Sequence, residues 1–243
     1  MTEIVLRNVS RTARFCIATV ILFCGLAACV APTPPPSFSL SKFARPSRSA
    51  GAEAPGGKIT ASASSLTIDG TGGRSTLVPL PGAAVALWLG DHYDLAFGVS
   101  DLQLTTEGNL WFGSDDVRVG LLHGIGLGAI LSDENSHQDS ESTLIIDLAA
   151  GLFGQVRLSE HASGFAGFKY VYCTTKGDNE AIDSVDYFGG SFGVVFTAGR
   201  LEIAPELSIV SARPRNDTNP DVTGAIAKDF MVYVPTLNLS ASF

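Results

Sequence analysis

The feature that most constrains this chain is an alternation of period two that runs from residue 58 to the last residue. In the final stretch Tyr233, Pro235, Leu237, Leu239, Ala241 and Phe243 alternate with Val234, Thr236, Asn238, Ser240 and Ser242. Successive side chains of a β-strand point to opposite faces, so this spacing gives one largely apolar face and one mostly small, polar face. The pattern returns at Leu144, Ile146, Leu148, Ala150, Leu152, Gly154 and Val156, opposite Asp147, Ala149, Gly151, Gln155 and Arg157. It returns again where Leu201, Ile203, Pro205, Leu207 and Ile209 oppose Glu202, Ala204, Glu206 and Ser208. Phe188, Phe192, Val194 and Phe196 likewise oppose Gly189, Ser191, Gly193 and Thr197. No amphipathic helical period of useful length competes in this region.

Read this way, the chain predicts strands at 58–68, 77–90, 93–100, 102–112, 117–131, 143–157, 163–175, 185–198, 201–212 and 229–243. The first is the least patterned, because Ile59 to Ile68 is mostly Ala, Ser and Thr. Tight connections fall at Asp91-His92, Ser114 to Asp116, Leu158 to Ala162 and Gly199-Arg200, whereas 132–142, 176–184 and 213–228 are long and polar. Membrane β-barrels of bacteria have an even strand number, short periplasmic turns and longer outer loops. Ten strands bring the C-terminus to the side of the short turns. Nine would leave the two ends on opposite sides, and eight is the alternative even count. The expected fold is therefore all-β, a single antiparallel up-and-down transmembrane barrel over residues 58–243.

Composition agrees. Only 16% of residues are charged, against roughly 25% in soluble domains, so a water-facing barrel wall would lack its charges. Lys and Arg number 16 against 24 Asp and Glu, with no basic stripe, which excludes nucleic acid as a natural partner. Among the outward positions, Tyr93, Phe112 and Phe243 fall near one set of strand ends and Tyr170, Tyr172, Phe188 and Tyr233 near the other. Two aromatic belts are what amphipathic rings favour at the two interfaces of a bilayer.

The segment ahead of the barrel has its own logic. Arg7, Arg11 and Arg14 precede an uncharged run from Phe15 to Ala28, the layout of a secretory signal and too short for a comfortable membrane-spanning helix. Residues 1–28 are expected to be removed. Residues 29–57 are rich in Pro, Ser, Ala and Gly, including the run from Ala31 to Pro36. Such a composition buries little apolar surface and stays extended, so it reads as a linker that tethers the barrel from the periplasmic side. Of the four cysteines, Cys16 and Cys24 lie in the signal and Cys29 at its end, which leaves Cys173 and no disulfide framework within one mature chain.

Three resemblances follow from these residues. Leu26-Ala27-Ala28-Cys29 resembles the lipobox of bacterial lipoproteins; the resemblance implies that Cys29 carries the lipid, and Val30 after it implies sorting to the outer membrane. The terminal Phe243, closing an alternating strand, is similar to the signal by which outer-membrane proteins are assembled. Residues 58–243 as a whole resemble the bacterial outer-membrane β-barrel superfamily. That resemblance implies membrane lipid and the outer-membrane assembly machinery as partners. Most integral barrels of that superfamily are not lipoproteins, and in this respect the chain departs from them.

Candidate chemistry is sparse. Gly189 to Gly193 matches the G-x-S-x-G nucleophile elbow, but it sits inside a strand, and all four histidines precede Ser191. Gly124, Gly126 and Gly128 have no helix after them to cradle a phosphate, and read as room for bulky neighbours across a narrow lumen. Asp133, Glu134, His137, Asp139 and Glu141 gather in one outer loop. A histidine among carboxylates on a ten-stranded barrel resembles the omptin proteases, yet those use dyads from opposite walls and no second outer histidine exists here. Weak divalent-cation binding is the chemistry that loop allows. Seven inward charges, Asp94, Arg118, Asp147, Arg157, Lys169, Glu202 and Glu206, are nearly balanced and are expected to pair across the lumen. No catalytic, cofactor or metal residue is assigned. The expected role is non-enzymatic: an outer-membrane barrel lipoprotein, anchored through Cys29, serving envelope structure or surface interaction. The alternatives are a narrow pore for small solutes and a lipid-tethered soluble barrel holding a small apolar ligand.

Overall fold

The structure is a computed structural model that describes residues 44, 46, 48, 56–70, 73–100, 103–131, 142–176, 184–215 and 229–243. Ten strands follow in chain order: β1 (Gly56–Gly70), β2 (Gly73–Trp88), β3 (Tyr93–Ser100), β4 (Gln103–Gly113) and β5 (Val117–Leu131) form the first half. The second half is β6 (Ser142–Ser159), β7 (Ala162–Lys176), β8 (Ser184–Ala198), β9 (Leu201–Arg215) and β10 (Phe230–Ser242). Each strand pairs antiparallel with its neighbour in sequence, and β1 pairs with β10, so the sheet closes into a ten-stranded barrel. The expected strands are all present, and the count is ten rather than eight.

Closure is anchored at the chain's end. Phe243 N–H donates to the Gly57 carbonyl at 3.0 Å, and Gly57 N–H returns the bond to Phe243 at 3.2 Å. A Cβ on residue 57 would lie 2.8 Å from the Phe243 ring, so the ring closes over glycine. The tight connections cluster at this end of the barrel. Gly113 and Gly199 adopt positive φ there, at 115° and 61°, a backbone that L side chains rarely accept. The other end carries the connections 132–141, 177–183 and 216–228, which lie outside the described residues. These are called below the short-turn end and the long-loop end.

The apolar parity points outward. Leu104 is 65% exposed, Ile125 52%, Phe192 52% and Leu239 52%, and Val119, Leu127, Leu148, Leu152, Phe196, Ile203 and Leu237 share that face. Soluble monomers rarely sustain contiguous apolar patches beyond a few hundred Å², whereas hydrocarbon needs an apolar wall without a free sheet edge. The orientation is the opposite of what a soluble barrel with an apolar interior requires. The fold is that of a membrane barrel.

Candidate functional site in the barrel lumen

The inward parity builds two zones. Toward the short-turn end the wall is polar: Lys58, Thr60, Asp94, Asn109, Gln155, Ser163, Glu202 and Ser240 are all buried. Toward the long-loop end it is mostly aliphatic, with Ile145, Val171, Cys173, Val185, Val210, Ala212, Val232 and Val234 in one buried cluster that also includes Trp111, Phe153 and Tyr187.

Buried charges in the polar zone are paired. Lys58 Nζ donates to Glu202 at 2.9 Å between β1 and β9. Lys169 Nζ donates to Glu107 at 3.0 Å, joining β7 to β4 across the lumen. Glu206 accepts from the Asn238 amide at 3.2 Å, and the Thr60 and Ser240 hydroxyls bond at 2.9 Å. At the mouth, Arg118 meets Asp115 at 2.7 Å and Arg157 meets Asp116 at 3.6 Å, both with exposed carboxylates. The expectation of inward pairing is met in part: Lys169 and Glu202 are paired inside the lumen, but with Glu107 and Lys58, which the sequence reading did not include, while Arg118 and Arg157 pair with turn carboxylates at the mouth rather than across the lumen.

The lumen also holds part of the segment expected to lie outside it as a tether. Ala44, Pro46 and Arg48 are buried, Ala44 at 0% and Arg48 at 1% exposure. The Ala44 N–H donates to Ser191 Oγ at 2.8 Å, and Ser208 Oγ donates to the same oxygen at 3.0 Å. Gly167 makes room: a Cβ there would fall 2.0 Å from the Ala44 carbonyl oxygen. Arg48 Nη2 lies 2.8 Å from the Asp94 carboxylate, which is wholly buried. The Arg48 guanidinium also donates to the Gly90 and Asp91 carbonyls of the β2–β3 turn and stands 5.3 Å from the Trp88 ring centre. Trp111 Nε1 donates to the other Asp94 oxygen. Composition placed this segment outside because Pro, Ser and Ala cannot order themselves; enclosed by a barrel wall, they need not.

A cavity of about 250 Å³ opens at the short-turn mouth beneath this arrangement, lined by Arg48, Asp91, His92, Trp111, Phe112 and Arg118 among others. Trp111 packs edge-on against Phe153 at 4.5 Å and carries the Arg118 guanidinium 5.5 Å from its ring centre. At the opposite end of the wall an outward cluster ties the strands together. Tyr170 donates to Asp186 at 2.6 Å, Arg215 pairs with the same carboxylate, and Arg213 pairs with Asp229 at 3.1 Å.

The remaining sequence candidates resolve as follows. Ser191 is a hydrogen-bonded lumen hydroxyl in the middle of β8, with no nucleophile elbow around it. Gly124, Gly126 and Gly128 lie on the inward parity of β5. His123 faces outward on β5, stacked on Tyr93 at 6.0 Å and seated over Gly108, where a Cβ would strike both rings. Among the described residues no group of three or more His, Cys, Asp or Glu could hold a metal ion. Cys29 and the loop carrying Asp133, Glu134, His137, Asp139 and Glu141 lie outside the described residues. Phe243 is exposed at the short-turn end, where its backbone completes the β1–β10 closure.

No protein-family model matches the sequence, and no curated protein matches it. Solved structures that resemble this chain include bacterial outer-membrane proteins. The outer membrane protease OmpT from Escherichia coli is 10% identical, with 79% of this chain and 98% of that one covered at a TM-score of 0.43. The translocator domain of the autotransporter NalP from Neisseria meningitidis is 9% identical, covering 80% and 91% at 0.43. The attachment invasion locus protein Ail of Yersinia pestis is 10% identical, covering 77% and 98% at 0.35.

Proposed function

We propose that this protein is an integral outer-membrane barrel closed to solutes, which serves the envelope as a structural element and as a scaffold for its three long connections. The observation that carries this reading is the lumen itself. Lys169 and Glu107 join two strands three apart around the barrel at 3.0 Å, and Ala44 and Arg48 are buried in the lumen. A ten-stranded lumen is only slightly wider than one filled by side chains, so this content supports a plug more than a path. The apolar outer wall supports a lipid setting, and the uneven ends support periplasmic short turns with the long connections outside. A lipid on Cys29 belongs to the same reading and rests on the lipobox. The role assigned is non-enzymatic.

Two measurements test it. The purified mature protein, reconstituted in planar bilayers, should show no steady conductance; reproducible open-channel steps would overturn the plug. Single cysteines at Ser136, Asn179 and Asn219, in a Cys173→Ser background, should react with impermeant maleimide on intact cells. Reaction of all three only after lysis would place the long connections in the periplasm and reverse the orientation.

A further inference from the structure

We infer that the cavity at the short-turn mouth is a binding site for a small oxyanion, a carboxylate or phosphate group held by Arg118 and Arg48 beside the Trp111 ring. The site lies at the mouth and is independent of whether the lumen conducts. Its position begins with a turn. Gly113, at a φ of 115°, leads the chain out of β4, and the Ser114 N–H donates to the Val117 carbonyl at 2.9 Å. This tight turn fixes the root of Arg118, whose side chain is inward and only 8% exposed. Arg118, Arg48 and Trp111 line the cavity together, with Asp91 and His92 exposed beside them. Its volume of about 250 Å³ lies below the roughly 300 Å³ at which sites for drug-sized molecules begin. That space suits a small group and not a large cofactor.

Hydrogen bonding supplies the second observation. Arg118 Nη2 meets Asp115 at 2.7 Å, but Nη1 is buried and has no acceptor among the described residues. A buried donor left unmade costs free energy, which an acceptor in the cavity returns. A guanidinium offers its N–H groups as a planar fork that matches the paired oxygens of a carboxylate or phosphate. Both forks are positioned in advance. Arg118 stands 5.5 Å from the Trp111 ring centre, and Arg48 is fixed by Asp94 and by the Gly90 and Asp91 carbonyls.

The carboxylates nearby decide the sign of the ligand. Asp94 is wholly buried and is already engaged by Arg48 and Trp111, so its charge is answered within the protein. Asp115 is the competitor for Arg118. Its side chain is 75% exposed, and an ion pair open to water is worth little. An incoming oxyanion therefore displaces Asp115 at small cost.

Both tryptophans of the chain stand beside these guanidiniums, Trp88 by Arg48 and Trp111 by Arg118, so intrinsic emission reports the site. The purified mature protein in detergent micelles is titrated at constant ionic strength with sodium phosphate and, separately, with sodium acetate. Either should give a saturable change in emission that sodium chloride does not. A response to phosphate alone assigns a phosphate group, and a response to acetate alone assigns a carboxylate. Arg118→Gln should weaken binding about tenfold or more, the loss expected of a hydrogen bond to a charged group. Asp115→Asn should tighten it about threefold, because an exposed competing ion pair is removed. Glu160→Gln, in the turn between β6 and β7, should leave it unaltered. No saturable response to either anion overturns the proposal. So does an Arg118→Gln protein of normal heat-modifiable migration that binds like the parent. Asp115→Asn leaves the buried wall intact, so unchanged or weaker binding there overturns the proposal even where Arg118→Gln fails to fold.

Discussion

Arg48 precedes the first strand, yet its guanidinium lies 2.8 Å from the carboxylate of Asp94 on β3, inside the barrel and out of contact with water. The pair ties Arg48, which lies ahead of β1 in the chain, to β3 at the short-turn mouth. It also satisfies a carboxylate whose other oxygen is already held by Trp111. Asp94 without Arg48 would be a buried, uncompensated charge.

Arg48→Ala should therefore destabilise the barrel by about 3–5 kcal/mol, the usual result of removing one member of a buried pair. Adding Asp94→Asn should return part of that loss, because an amide at position 94 can still accept from Trp111 without carrying charge. Denaturant unfolding of each variant in lipid vesicles measures both changes. An Arg48→Ala protein as stable as the parent would mean that Arg48 does not hold Asp94 in solution.

The Lys169–Glu107 bridge makes a second, independent case. Lys169→Met or Glu107→Leu alone should each cost about 3–5 kcal/mol, while the double variant should recover most of it, since two apolar side chains can replace a buried ion pair at little net cost. The double-mutant cycle reports the coupling directly. Additive losses would show that the two side chains do not meet across the lumen.

The outward face of β10 should be sensitive to charge according to depth. Leu237 and Leu239 are 48% and 52% exposed on the apolar wall, and Leu239 lies nearer the short-turn end. Arginine on a lipid-facing strand costs about 2–4 kcal/mol near the midplane and about 0–1 kcal/mol near an interface. Leu237→Arg should thus cost more than Leu239→Arg in vesicle unfolding titrations. Equal or reversed costs would contradict the assigned depth of this strand.

Acylation of Cys29 predicts that palmitate supplied to growing cells labels the protein and that Cys29→Ser abolishes the label. Labelling that survives the substitution would show that the Leu26-Ala27-Ala28-Cys29 sequence is an ordinary cleavage site.

Much of this molecule follows from a rule as local as side-chain parity. A period of two forces alternate residues to opposite faces, so Leu237 and Leu239 had to share one face and Asn238 and Ser240 the other. Evenness and the placement of short turns then favoured ten strands over nine without reference to any contact, and closure of the sheet decided ten over eight. Parity also placed Asp94, Lys169 and Glu202 inward, because each strand carries its own record of which face it turns to the lumen. It could not say which charge meets which. That Lys169 reaches Glu107, two strands removed from its nearest neighbours, depends on barrel radius and on the register of β4 through β7. Those exist only once the sheet closes. The segment around Arg48 was least legible of all. Its composition describes a chain that cannot order itself, which holds in water, whereas its position is decided by a wall built from residues far later in sequence. Ser191, Gly167 and Asp94 supply the partners it lacks, and such partners are a property of the closed barrel rather than of any stretch of sequence.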